Sequence, residues 1–181
     1  MLSEGHGQSK QPVSAALAGP YGHPFHPIMV TVPMGAWVAS LVFDIASRAA
    51  DHPGVFTQGS KWLIAIGVLG ALVAAMFGFL DLFAIPTGTP AHRTALVHMT
   101  LNLCVTVAYA ANFWWRHSSH QDGDPVAIGQ IILSAVSLAA LALSGSLGGK
   151  LAYHYGVRVA DEGTQAQGFV AAPETHDRPA H

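Results

Sequence analysis

The sequence predicts an all-α fold: a polytopic membrane protein built as a four-helix up-down-up-down transmembrane bundle. Charged residues are 10% of the 181, against roughly 25% in soluble domains. Hydrophobic residues reach 51%. They fall into four blocks, at about 27–47, 62–85, 94–115 and 126–149, each long enough at 1.5 Å per residue to cross a hydrocarbon core of roughly 30 Å. No charge sits at a block centre; Asp44 and Asp81 lie near the ends of the first and second.

Residues 1–22 read as a mobile polar tail and 23–159 as the four-helix domain. Residues 160–181, rich in polar residues, Gly and Pro, read as a second mobile tail. The opening residues lack a basic region followed by an adequate apolar core, so the first transmembrane helix is expected to direct its own insertion.

Helix 1 opens in "GHPFHPIMVTVPMGAW". Pro24 and Pro27 suit a helix entry, where no amide partner is lost. Pro33 lies a turn deeper and is expected to kink the helix and free the carbonyl of Met29. Helical spacing puts His26, Pro33, Trp37, Ser40 and Asp44 on one face. Helix 2 carries a seam of small residues, Gly67, Ala71, Ala74 and Gly78, ending in Asp81. Small residues let helices approach closely in lipid. On helix 3, His98, Asn102, Tyr109 and Asn112 share a face, and on helix 4 Ser134, Ser137, Leu141, Ser144 and Gly148 do. Polar atoms are costly against lipid, so these faces should look inward, where the ordinary duty of Asn, Ser and Tyr is interhelical hydrogen bonding.

Cys104, the only cysteine, lies within helix 3 and reads as a small buried apolar residue. A single cysteine excludes an intrachain disulfide, a CxxCH haem attachment and an iron–sulfur cluster held by this chain alone. The net charge of −2 and the absence of a basic run point away from nucleic acid.

Short connections imply sequential antiparallel neighbours. Four spans place both tails and the 2–3 loop at one end, here end A, with the other two loops at end B. Lys10, Arg93, Lys150 and Arg158 belong to end A, and Arg48, Lys61 and Arg116 to end B, a narrow lean toward a cytoplasmic end A. No strong internal repeat is visible, although helices 1 and 3 both open with a histidine and run in the same direction. No inverted repeat with broken helices suggests a transporter.

End A gathers the chemistry. His26 begins helix 1, Asp81 lies just inside the exit of helix 2, and His98 lies just inside the entry of helix 3. Helix 4 leaves through "GGKLAYHYGVRV", bringing Lys150, Tyr153, His154 and Arg158. At end B the histidines His52, His117 and His120 are expected in loops, with nothing comparable inside the membrane. Imidazole ligates haem iron, zinc and copper, and a carboxylate completes a metal shell or orients a ligating histidine. His26, His98 and His154 are therefore the candidate cofactor ligands. His26, Asp81 and His98 are the candidate metal set, supported by Asn102, Arg93 and Tyr153. The plainer reading is a hydrogen-bond network, in which Asp81 pairs with Arg93 or His98.

The stretches "HPFHPIMVTVP", "GFLDL", "HRTALVHMTLN" and "GGKLAYHYGVRV" resemble, in order and placement, a bacterial membrane-protein family catalogued as domain of unknown function 2231. The resemblance spans about residues 23–159 and implies a four-helix membrane domain. It implies that His26, Asp81, His98, Asn102 and the Gly148–Gly149 pair occupy emphasised positions. Some family members carry a fused Rieske or cytochrome c domain, which implies a redox setting and, here, a separate electron partner.

Residues and resemblance together point to a multi-pass protein of the bacterial inner membrane, both termini on one side. Its His-lined site would bind haem b, or a metal ion such as zinc, copper or iron, for electron transfer beside another membrane or redox chain. The alternative is a non-catalytic anchor or assembly subunit whose buried His, Asp and Asn form a structural network.

Overall fold

The computed structural model describes residues 4–14, 24–119 and 123–169. The described residues form α1 (Glu4–Lys10), α2 (Phe25–Met29), α3 (Thr31–Ser47), α4 (Gly54–Leu82), α5 (Pro90–Ser118), α6 (Ile128–Gly149), a π-helical turn (Lys150–His154) and α7 (Glu162–Gln167). Four stretches are long and apolar enough to cross a membrane: Phe25–Ser47, Gly54–Leu82, Pro90–Ser118 and Ile128–His154, of 23, 29, 29 and 27 residues. The expected four-span, all-helical architecture is what the chain adopts.

Local chemistry explains the boundaries. Pro33 has no N–H to offer the carbonyl of Met29, and the first span breaks there. The Val30 N–H donates to His26 O at 3.1 Å, and the chain restarts as α3 at Thr31. Thr89 caps α5 by accepting from the His92 N–H at 3.1 Å, with Pro90 in the first turn. The second span begins at Gly54, earlier than the apolar block suggests, because the polar residues of its first turns are used inward. The Thr57 hydroxyl donates to Asp124 O at 2.7 Å, and Ser60 is fully buried.

Sequential spans pack as neighbours, and the contact of α3 with α6 closes the ring. The first and third spans face each other across the bundle and meet through large side chains. Trp37 and Tyr109 stack with ring centres 4.2 Å apart and planes 7° from parallel. Ile64 and Val105 complete this central cluster. Gly67 is required beside it, since a Cβ there would collide with the Trp37 indole. The outward faces are apolar, with Val42, Leu69, Val107 and Leu143 exposed, as lipid demands. Trp62, Trp114 and Trp115 are exposed toward end B and Tyr153 at end A, levels at which amphipathic rings favour the bilayer interface.

One expectation is corrected here. Cys104 is exposed on the outward face rather than buried, so in a bilayer it meets lipid, which a small apolar side chain tolerates. At end A, Ser9 is buried, and α1 docks through the Arg158 N–H, which donates to Ser9 O at 3.0 Å. Lys10 Nζ lies 3.5 Å from Ala160 O and 3.6 Å from Glu162 Oε1. Expectations for His23, His120 and residues 170–181 fall outside the described residues.

Gly67→Ala is expected to cost about 1–3 kcal/mol by overpacking against Trp37, read as a lowered Tm in detergent. Gly145→Ala, where an added Cβ meets nothing within 4 Å, should be neutral or stabilising. A second expectation concerns α7. The Thr164 N–H, donating to Asp161 at 2.9 Å, holds that carboxyl below its ordinary range, and the Glu162 backbone N–H and then Lys10 do the same for Glu162. Lowered carboxyls stabilise the fold above their ordinary pKa, and that contribution disappears as pH falls through the folded value. Amide exchange in Glu162–Gln167, corrected for intrinsic rates, should accelerate between pH 6 and pH 3; unchanged protection would refute this.

Candidate functional site

At end A two imidazoles converge from facing spans. His26, on α2, places Nδ1 2.9 Å from the carbonyl of Ala74 on α4. His98, on α5, places Nδ1 2.8 Å from the carbonyl of Ser144 on α6. A carbonyl only accepts, so in each ring Nδ1 is the donor, and in the neutral ring Nε2 keeps the lone pair. The rings stand 6.4 Å apart between centres, with planes at 87°.

Glycine makes both placements possible. A Cβ at Gly78 would lie 2.9 Å from His26 Cε1, and one at Gly148 would lie 3.1 Å from His98 Cε1. Each ring therefore lies on a helix surface with no side chain. Asn102 Nδ2 is 3.4 Å from Nδ1 and 3.1 Å from Nε2 of His98, and 3.0 Å from its carbonyl. A donor almost equidistant from both ring nitrogens lies over the ring face rather than along either lone pair. The Ser144 hydroxyl donates to His98 O at 3.1 Å and closes the local network.

Asp81 is engaged elsewhere. Arg158 Nε lies 3.0 Å from Asp81 Oδ1, with the arginine side chain 6% and the aspartate side chain 18% exposed. Arg158 reaches it from beyond the fourth span by folding back: Gly156 has φ +69° and Arg158 itself φ +58°, a left-handed conformation uncommon for arginine. One residue thus joins the α1 backbone to a carboxylate at the end of the second span. Sequence reading offers Arg93 or His98 as that carboxylate's partner; Arg93 is exposed, and Arg158 takes the role.

The remaining candidates do not join the pair. His154 is exposed and sets its ring edge-on to Tyr155 at 4.9 Å, and Tyr153 is 92% exposed. The π-helical turn at Lys150–His154 alters the register of the fourth span, which carries these side chains off the inward stripe. Among the described residues no three His, Cys, Asp or Glu side chains gather as a metal-binding group. The expected His26–Asp81–His98 set is therefore reduced to its two histidines, because Asp81 is turned to Arg158.

End B holds a cluster that sequence reading missed. Asp44 and Arg116 form a buried two-pronged ion pair, 2.7 Å between Oδ1 and Nη1 and 2.8 Å between Oδ2 and Nη2. The Ser60 hydroxyl donates to Asp44 Oδ1. Arg116 Nε donates to Asn112 Oδ1 at 3.0 Å, and Asn112 Nδ2 donates to Ser134 Oγ at 2.9 Å and to Gln130 O at 3.1 Å. All four spans contribute. Arg116 reads in sequence as an interfacial cation, yet it lies four residues beyond Asn112 on the inward face, the one signal that places it inside.

Fold and sites together define the class: a polytopic membrane protein of four spans with polar clusters at both ends of its interior. The family model described as predicted membrane protein, DUF2231, matches residues 22–161, and the chain belongs to that family. No curated protein and no solved structure matches the chain.

Arg158→Ala, by leaving the Asp81 carboxylate without this cation, is expected to destabilise the protein by about 3 kcal/mol. The double variant Asp81→Asn/Arg158→Ala should recover much of that loss in thermal unfolding, since no uncompensated charge is left behind.

Proposed function

We propose that the protein is a bacterial plasma-membrane electron-transfer protein, with both termini on one side, in which His26 and His98 ligate a haem b iron and a separate membrane or redox chain exchanges the electron. The carrying observation is the facing imidazole pair, each ring fixed through Nδ1 by a main-chain carbonyl. Ligating histidines are oriented in this way, through the nitrogen that does not bind metal. The 6.4 Å between ring centres supports the reading that both imidazoles can reach one centre.

The donor set favours haem over a bare ion. A structural zinc site takes four protein ligands, whereas haem iron needs only axial ones. Gly78 and Gly148 let each imidazole lie directly against the facing helix, which fixes where the two rings stand. Bound haem would supply a one-electron couple; the chain orients the two imidazoles through their Nδ1 contacts with main-chain carbonyls. The competing reading is a membrane anchor or assembly subunit with a purely structural network. The pairing of Asp81 with Arg158 favours it, because that carboxylate is already used to fasten the chain ends.

Absorption spectra of protein purified from its own host, oxidised and dithionite-reduced, separate the two. The expected result is a Soret band with reduced α and β bands, lost in His26→Ala and in His98→Ala and kept in His154→Ala. A flat spectrum from folded protein refutes the haem reading and leaves the anchor.

A further inference from the structure

We infer that the chain is a tandem duplication of one helical hairpin, whose two copies are each other's binding partner about a pseudo-two-fold axis, and that the opposite charges of Asp44 and Arg116 restrict each copy to the other. The inference is independent of any cofactor.

Three contacts between the first and third spans join His26 to His98, Trp37 to Tyr109 and Asp44 to Arg116. Every pair differs by 72 in residue number. In a two-fold interface a residue near the axis meets its own equivalent; unrelated helices have no reason to do so at three successive levels.

The contacts inside each hairpin repeat with the same correspondence, 72 for the outgoing helix and 70 for the returning one. His26 reaches the Ala74 carbonyl and lies on Gly78; His98 reaches the Ser144 carbonyl and lies on Gly148. The Trp37 indole donates to Ile64 O at 3.4 Å, and the Tyr109 hydroxyl to Ser134 O at 3.1 Å. A Cβ at Gly59 would meet the Phe43 ring at 2.7 Å, and one at Gly129 the Trp115 ring at 2.9 Å. The corresponding pairs Ser40–Ser60 and Asn112–Gln130 are also joined, though the donor changes helix: Ser60 donates to Ser40 O at 3.0 Å, and Asn112 donates to Gln130 O at 3.1 Å. The step from 72 to 70 places a two-residue shortening in the second hairpin's loop.

The axial positions have diverged as a pair. Two aspartates, or two arginines, at positions 44 and 116 would set like charges in contact in a low-dielectric interior. One of each satisfies both, so a first hairpin is repelled by another first hairpin and matched by a second one, a repulsive element of the kind that gives specificity. The stack has co-adjusted too. The larger ring, Trp37, has Gly67 against it, and the residue seventy positions on, in the hairpin that carries the smaller Tyr109, is Ser137.

Full-length Asp44→Arg, Arg116→Asp and their combination test the charge code. Each single variant should lose at least about ten-fold in detergent-extractable monomer, through a buried charge facing a like one, and the combination should recover to within about two-fold of the parent. Folded single variants, or a combination no better than either, would overturn the inference. A gentler arm that preserves folding uses Tyr109→Trp, expected to lower Tm, and Tyr109→Trp/Ser137→Gly, expected to restore it. No restoration would mean that Ser137 is not the equivalent of Gly67, and the duplication would fall.

Discussion

The bidentate pair of Asp44 and Arg116 is the interaction on which the rest of the bundle depends. Neither ion is stable alone at this depth, and one partner without the other leaves an uncompensated buried charge. Satisfying both requires the first and third spans to face each other at one rotation and one height. The hydroxyl of Ser60 and the amide of Asn112, which also reaches Ser134, then fix the second and fourth spans to the same point. Lipid supplies no hydrophobic drive between helices, so a polar knot of this kind sets the register that an aqueous core would otherwise set by burial.

From that knot the interior rises through three levels. Above the ion pair lies the stacked Trp37–Tyr109 layer, an apolar plug with its polar tips tied to main-chain carbonyls. Above that lies the imidazole pair, with glycines on both flanks. The chain ends then fold over the same end of the bundle, where Arg158 holds Asp81 with its side chain and Ser9 with its backbone. Charge is therefore confined to the two ends, and the middle of the bundle is filled by uncharged residues around the Trp37–Tyr109 stack.

The two-fold arrangement gives these levels a common origin. A self-complementary interface brings like residues together, and like residues suit some tasks and not others. Two histidines facing each other carry no obligatory like charge and keep their identity. Two like charges facing each other are intolerable, and that position holds opposite residues. Divergence along the axis thus follows the chemistry of each level, while the off-axis helix contacts retain the older pattern in their glycines and carbonyl bonds.

The four spans, their inward stripes and the break before Pro33 were legible in the sequence, because hydropathy, helical period and the missing proline N–H act locally. His26 and His98 were legible as inward residues for the same reason. The partner of Asp81 was not: Arg158 reaches it only through a chain reversal with two left-handed residues, which no spacing encodes. Nor was the inward turn of Arg116, since a basic residue near a span end reads as interfacial until an aspartate 72 positions away is set against it. The duplication was hidden in a shared histidine and a few small residues, such as Ala39 with Ala111 and Gly59 with Gly129, too sparse to align by eye. Sequence by itself determined which surfaces avoid lipid; only the tertiary structure decided which side chains they bring into contact, because pairing across a bundle depends on rotation and height between helices that share no local signal.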